Sequence, residues 1–396
     1  MKTLLLARPD HSTYLYEGLW KNPEIDIKFH TFSAFKKGSW LNKCKPSVKS
    51  VNSEVEIFTI FTLVHRFLYE LQKSVDFDYY EKETQIAEYF FNRILQKYDD
   101  RFDVVHYWSI YCYQSIRDFQ QINPKTKFLA DVYAAHPDYV REILEPEYDK
   151  YGLSIKNSHF VKSRDRDISS LEGIENMLVP SQYIAEIYQG YYQNTKIFTA
   201  SYGLFNYNGK PIKSSERAFN EPLRLVFVGN ISIEKGCIYL LEAMEKLLNT
   251  NVQLDLIGEI DRHQKDIFLA YSNLKNTQFL GKLPNLKILE LLPNYHIFVL
   301  PSLTDAYSLA VSEALTHKLP VIITENVGNK DDVRKFNIGK ICKVKDSDAL
   351  IEAIFSLQNE EYRQYLSKNI TNFIEDNKRN SYSSKVLNVY KQLLVN

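Results

Sequence analysis

Cysteine is scarce in this 396-residue chain, and Cys44, Cys112, Cys237 and Cys342 are scattered without a paired spacing. That fits free thiols in a reducing compartment better than a disulfide framework or a zinc site. Long apolar runs are missing too: nowhere do about 18 apolar residues follow one another, which excludes a membrane-spanning helix. The apolar stretch 3–7 is cut off by Arg8, Asp10 and His11, too early for a secretory signal, and it reads as a first β-strand. A surplus of one charge is absent, since 49 Lys plus Arg stand against 49 Asp plus Glu; nucleic acid is therefore not an expected partner. There is no internal repeat and no low-complexity segment. What remains is a chain 44% hydrophobic and 25% charged, an ordinary globular composition, long enough for two cores and expected in the cytoplasm.

Short apolar runs alternate with longer amphipathic stretches, the rhythm of parallel sheets wrapped by helices. In the first half, residues 3–7, 104–107, 127–130 and 177–179 read as buried strands. Residues 55–73 and 81–98 read as helices, because apolar side chains recur there at three and four. The second half predicts strands at 223–228, 252–257, 278–280, 296–300 and 320–324, with helices at 238–248, 286–292 and 309–315 between them. This β/α alternation is the pattern of a doubly wound α/β domain. Residues 204–222 include Asn206, Asn208, Gly209, Pro211, Ser214 and Ser215, a composition that interrupts regular structure and suits a linker. The expected organisation is one α/β unit over 1–203, a hinge over 204–222 and a second unit over 223–379, with a ligand cleft between the carboxyl ends of their strands.

Two stretches carry candidate chemistry. In 299–314 a strand ends at Leu300, a loop of small and polar residues follows, and a helix begins near Tyr307 or Ser308. A helix N-terminus offers unpaired N–H groups and a positive dipole end to phosphate. Glu313 lies about two turns beyond Asp305, so both carboxylates can line one cleft wall and accept hydrogen bonds from vicinal hydroxyls. The plainer reading makes Asp305 a helix N-cap and Glu313 a solvated helix residue; spacing alone does not separate the two. The second stretch, Gly229-Asn230-Ile231-Ser232-Ile233-Glu234-Lys235-Gly236, joins a strand to a helix. Glycine there permits close backbone approach, and Lys235 can meet a diphosphate as a point charge.

Together these stretches resemble the family 4 glycosyltransferases of the GT-B fold, two Rossmann-like domains facing each other across a cleft. The resemblance rests on Phe227-Val228-Gly229 with Glu234-Lys235-Gly236, on Leu256-Ile257-Gly258 and Phe279-Leu280-Gly281, and on Pro301-Ser302-Leu303. It continues through the Asp305/Glu313 pair, Leu319-Pro320-Val321-Ile322 and Gly328 followed by Asp331-Asp332-Val333. It implies retaining transfer of a sugar from a UDP- or GDP-linked donor to a saccharide or lipid-linked acceptor in surface polysaccharide or glycolipid synthesis, with no cofactor and no obligatory metal. By similarity, Glu313 binds the donor ribose. Ala306, Tyr307 and Ser308, with Leu309 beyond them, present backbone amides to the donor, and the loop from Gly281 to Leu283 lies beside the base. Two departures stand out. Asp305 is one methylene shorter than the usual Glu, and Asn230 occupies the place of a usual arginine, so Arg262 or Lys282 is a candidate for the missing charge.

On the acceptor side, the resemblance places His136, in the run Asp131-Val132-Tyr133-Ala134-Ala135-His136-Pro137, toward the donor sugar; an ordinary core or surface histidine is the alternative. His106 is a second candidate. The glycine-rich loop common after the family's first strand is absent, and Arg8, Pro9, Asp10 and His11 read as a polar turn. The segment from Phe35 to Lys49 holds five lysines, Trp40 and no acidic residue. It reads either as a peripheral contact with an anionic membrane face or as a basic loop. The family also implies that the C-terminal helix, 380–396, returns to the first domain. A nucleotide-sugar epimerase and a non-catalytic GT-B partner protein are the competing functions; the first lacks a further cluster of acids and histidines, and the second draws on Asn230 and Asp305.

Overall fold

The computed structural model describes residues 1–8, 11–31, 35–36, 50–51, 56–57, 59–71, 79–98, 101–155, 164–204 and 221–395. The first half runs β1 (Lys2–Leu6), α1 (His11–Leu19), β2 (Asp26–Thr31), three two-residue strands β3 (Phe35–Lys36), β4 (Ser50–Val51) and β5 (Glu56–Ile57), then α2 (Thr59–Leu71) and α3 (Tyr79–Leu95). It continues β6 (Val104–Trp108), α4 (Ser109–Ile122), β7 (Lys127–Asp131), α5 (Pro137–Lys150), α6 (Arg164–Leu171), β8 (Asn176–Val179), α7 (Gln182–Tyr191) and β9 (Lys196–Thr199). Seven of these strands form one parallel sheet in the order β5-β2-β1-β6-β7-β8-β9, and β3 pairs with β4 apart from it. Leu4, Leu5, Leu6, Val104, Val105, Leu129 and Met177 are fully buried. Such unbroken apolar runs are what helices on both faces of a sheet require.

The second half runs β10 (Leu223–Val228), α8 (Cys237–Lys246), β11 (Val252–Ile257), α9 (Lys265–Leu269), β12 (Thr277–Gly281), α10 (Asn285–Leu291), a 3₁₀ turn (Leu292–Asn294) and β13 (Ile297–Leu300). Then come α11 (Leu309–Thr316), β14 (Val321–Thr324), α12 (Lys330–Phe336), β15 (Gly339–Cys342), α13 (Ser347–Ser356), α14 (Glu360–Arg379) and α15 (Tyr382–Val395). Its six strands are parallel in the order β12-β11-β10-β13-β14-β15. Strand order therefore reverses between β10 and β13, and a crevice opens outside the carboxyl ends of strands at such a switch point. In the first sheet the corresponding reversal lies between β1 and β6.

The last helix lies against the first sheet. A Cβ on Gly18 of α1 would stand 2.5 Å from Ser383 Cβ of α15. The Tyr390 hydroxyl meets His106 Nδ1 at 2.7 Å, and the Tyr382 hydroxyl donates to Asp131 at 3.5 Å. By contrast α14 buries Leu366, Ile370 and Phe373 with the second sheet, where the Phe373 and Phe336 rings meet edge to face. Of the expected hinge, residues 205–220 lie outside the described residues, as do 37–49 of the lysine-rich segment. Among the described residues, no helix is long and apolar enough to cross a membrane, and Cys112, Cys237 and Cys342 are buried free thiols. Cys44 falls outside them.

Candidate active site

At the switch point of the second sheet, the loop after β10 (229–236) meets the loop after β13 (301–308). Gly236 explains how closely they approach. It sits at φ +67°, and a Cβ there would come 1.9 Å from the Pro301 carbonyl oxygen. Only a residue without a side chain fits both the left-handed backbone and the gap. The Leu303 amide then donates to the Glu234 carbonyl at 2.8 Å, locking one loop to the other. Neighbouring strand ends are tied in the same row, Gly229 N to Ile257 O at 3.0 Å and Gly258 N to Gly281 O at 2.9 Å.

This clamp brings Lys235 Nζ to 2.8 Å from Asp305 Oδ2, their side chains 25% and 13% exposed. Burial opposes the charge on Lys235, but Asp305 and Glu234 outweigh it and raise its pKa. Lys235 is thus a fixed ammonium at the mouth of the crevice. Asp305 is held through its backbone as well, its amide donating to Asn326 O at 2.9 Å and its carbonyl accepting from Gly328 N at 2.8 Å. It is not the cap of α11. That role falls to Ser308, whose hydroxyl accepts from Val311 N. The plainer reading of Asp305 therefore does not hold.

The amides expected to face a donor divide. Ser308 N already donates to Asn329 Oδ1 at 2.7 Å, so the expectation for Ser308 is corrected: its amide is taken within the loop. Among the described residues the amides of Ala306, Tyr307, Leu309 and Ala310 meet no protein acceptor. They surround the N-terminus of α11, an anion-binding geometry. The Tyr307 side chain turns away, its ring against Tyr202 and its hydroxyl donating to Asp332 at 2.8 Å. Glu313, on α11, accepts from Asn285 Nδ2 at 2.9 Å. Asn285 opens α10, four residues after Gly281 and two after Leu283, so the β12–α10 loop stands beside the carboxylate. Sequence reasoning missed Asn285, which nothing in its local pattern marks. Asn230 is exposed in its loop, and the candidate extra cations are otherwise engaged: Lys282 pairs with Glu259 at 3.3 Å and Arg262 donates to His263 at 3.0 Å.

Across the crevice, a cavity of about 340 Å³ opens at the switch point of the first sheet, lined among others by Arg8, Tyr111, Asp131, Tyr133, Arg166 and Asp167. Arg8 donates to the Tyr111 hydroxyl at 3.1 Å and lies 3.5 Å from Glu83, while Arg166 holds Asp167 at 2.9 Å. The two walls touch: the Ser181 hydroxyl donates to Ala306 O at 2.8 Å, and the Tyr183 hydroxyl lies 3.1 Å from Thr304 Oγ1. On the far side, Gln264 accepts from Ile233 N of the Lys235 loop and donates to the Tyr148 hydroxyl of α5. Pro9 and Asp10 of the expected polar turn lie outside the described residues.

Neither candidate histidine reaches this space. His136 is 3% exposed, caps α5 by accepting from Asp138 N, and stacks on Tyr191 with ring centroids 3.8 Å apart. Burial pushes it down to about 4, Asp138 opposing, so it is a neutral capping residue. The expectation that it faces a donor sugar is corrected, because Pro137 starts a helix there and turns the imidazole into a tyrosine cluster. His106 is fully buried, 3.3 Å from Asp131 Oδ2 and bonded to Tyr390; it fastens α15 to the sheet. Among the described residues no group of three His, Cys, Asp or Glu is placed to hold a metal ion.

The family model described as glycosyl transferases group 1 matches residues 210–373. The chain is 28% identical over 157 residues to a UDP-Gal:alpha-D-GlcNAc-diphosphoundecaprenol alpha-1,3-galactosyltransferase of Escherichia coli, covering 37% of this chain and 39% of that one. It is 30% identical over 142 residues to a putative teichuronic acid biosynthesis glycosyltransferase of Bacillus subtilis, covering 34% of this chain and 33% of that one. The chain thus spans only 39% and 33% of the length of these relatives. In fold the whole chain superposes on a glycosyltransferase from Rickettsia africae, with a TM-score of 0.63, 17% identity and coverage of 100% and 99%. The chain thus has two parallel sheets of the GT-B type, the second built on loops that hold Lys235 against Asp305, and its residues 210–373 match the model of the group 1 glycosyl transferases.

Proposed function

We propose that this chain is a retaining glycosyltransferase, moving a sugar from a UDP- or GDP-linked donor to a saccharide or lipid-linked acceptor in surface polysaccharide or glycolipid synthesis. The observation that carries the reading is the Lys235 ammonium fixed 2.8 Å from Asp305 beside the open N-terminus of α11. Charge that builds up on a departing diphosphate meets a preorganised cation and unpaired amides there. Glu313, oriented by Asn285, takes the ribose hydroxyls. Gly229, Asn230, Gly281 and Leu283 line the approach to the nucleotide.

In this reading the acceptor sits in the cavity of the first sheet, where Tyr111 and Tyr133 offer ring faces and Asp131 and Asp167 offer acceptors for hydroxyl groups. The bond from the anomeric carbon to the diphosphate oxygen breaks, the acceptor oxygen bonds to that carbon from the same face, and its proton passes to the leaving phosphate. Such a step needs positioning and electrostatic stabilisation rather than a carboxylate base, and no metal is required. The alpha-1,3-galactosyltransferase relative, named for a diphosphoundecaprenol substrate, supports a lipid-linked acceptor, and the proposed place of transfer is the cytoplasmic face of a membrane. The lysine-rich segment 35–49 is the proposed contact with that face.

Calorimetric titration with UDP- and GDP-sugars, repeated on Glu313→Ala and Lys235→Ala and followed by a sugar-release assay, tests the reading. One donor should bind selectively, both substitutions should weaken it, and sugar should be released slowly without acceptor. Binding of no nucleotide sugar would refute the site; binding without release or transfer would point to a non-catalytic partner.

A further inference from the structure

Opposite the proposed donor face, at the amino ends of β13 and β14, lies a second cavity of about 220 Å³. One wall is α14, which turns Glu360, Arg363, Gln364, Ser367, Lys368 and Thr371 toward it. These positions recur at three and four, so they form one stripe of the helix. It is polar throughout and runs from buried Arg363 to exposed Gln364 and Lys368, while Leu366, Ile370, Phe373 and Ile374 of the same helix pack into the core. The facing wall carries His296, His317 and Lys318. Three fixed cations, Lys318, Arg363 and Lys368, therefore surround a space with one lining carboxylate, Glu360, which already accepts from Gln364 at 3.2 Å. Arg363 is 6% exposed and donates to the Leu357 and Gln358 carbonyls at 2.8 and 2.7 Å, so its guanidinium is a rigid part of the floor. Lys318 and Lys368 have no ion-pair partner among the described residues.

Lys318 also holds a backbone conformation that glycine takes without cost, φ +59°. It is the left-handed close of α11, with Lys318 N donating to Leu315 O at 3.0 Å and Leu319 N to Ala314 O at 3.2 Å. The residue closes α11, whose other end Ser308 caps beside Lys235 and Asp305, so one helix spans from this cavity to the donor loop.

We propose that this cavity binds a phosphate monoester, with Lys318 and Lys368 as its charge partners and Ser367 as a hydrogen-bond donor. Two unpaired ammonium groups on opposite walls suit a compact dianion better than a carboxylate or a neutral sugar.

The test is calorimetric titration of the full chain with inorganic phosphate and with glucose 6-phosphate at constant ionic strength, in a Lys235→Ala background that weakens phosphate binding at the donor loop. Lys318→Gly suits the left-handed backbone and Lys368→Gln lies on an exposed helix position, so the doubly substituted protein should fold. Binding that falls at least tenfold on adding Lys318→Gly and Lys368→Gln supports the site, whatever becomes of the donor-site reading. No phosphate binding, or equal binding with and without the two lysines, overturns it. Flotation with phosphatidic acid vesicles then separates the sources: lysine-dependent flotation assigns the phosphate to a lipid headgroup, and its absence beside positive calorimetry assigns it to a soluble ester.

Discussion

Replacing Lys235 with alanine should weaken binding of UDP or GDP by more than the loss of one cation, because it also uncovers Asp305. The magnitude follows from geometry. Asp305 Oδ2 is 2.8 Å from Lys235 Nζ, and a phosphate oxygen bound to the same ammonium stands about 2.8 Å from it. With a tetrahedral angle between the two bonds, the carboxylate and phosphate oxygens lie roughly 4.5 Å apart. At an effective dielectric of about 20, two unit charges at that distance repel by about 3.7 kcal/mol. Solvent screening at this partly exposed site reduces that to about 2 kcal/mol, or about 30-fold in affinity. In the native protein Lys235 masks this repulsion; in Lys235→Ala nothing does. Adding Asp305→Ala to Lys235→Ala should therefore recover about 30-fold in nucleotide affinity, a coupling that a double-mutant cycle reads directly. Nucleoside diphosphates are the right probes, since they lack the sugar that Asp305 would touch. If the double substitution binds UDP and GDP no better than Lys235→Ala alone, Asp305 does not act on the phosphate through its charge and the electrostatic account fails.

Two stability predictions accompany it. Gly236→Ala combines a left-handed backbone with a Cβ 1.9 Å from the Pro301 carbonyl and should cost about 3 kcal/mol or more. Gly281→Ala has a similar φ, +68°, but open space around it, and should cost only about 1 kcal/mol; equal losses in urea denaturation would refute the clamp between the two loops. His136, neutral in the fold at about 4 against about 6.5 when unfolded, lets the unfolded chain take up its proton first. Stability should hold above pH 6.5 and decline by up to about 3 kcal/mol as pH falls toward 4. His136→Asn keeps a capping oxygen without titrating, so its urea midpoint should lose this part of the acid dependence, and an unchanged slope would contradict the buried, neutral assignment.

Strands were legible where apolar residues run unbroken. The expected 223–228 and 252–257 coincide with β10 and β11, because interior strands of a parallel sheet are buried on both faces and leave a continuous hydrophobic signature. Strands with fewer apolar residues were not. β2 reads Asp-Ile-Lys-Phe-His-Thr and β15 Gly-Lys-Ile-Cys, both partly exposed, and neither carries enough apolar residues to be told from a loop. Helix ends shifted by up to four residues: α2 begins at Thr59 rather than 55, with β5 at Glu56–Ile57 before it, α3 ends at Leu95 rather than 98, and α8 ends at Lys246 rather than 248.

By itself the sequence determined two doubly wound halves and the places of Lys235, Asp305 and Glu313, since glycines and charged residues at strand-to-helix turns are local signals tied to backbone requirements. Only the tertiary structure decided which groups meet. It closed Lys235 on Asp305 across 70 residues, set Asn285 against Glu313 and spent the Ser308 amide on Asn329. It also buried His136 under Tyr191 and set Lys318 and Lys368 in the lining of one cavity. These pairings depend on how loops from separate strands pack at one end of a sheet, and side chains far apart in the chain leave no mark of that packing in their local pattern.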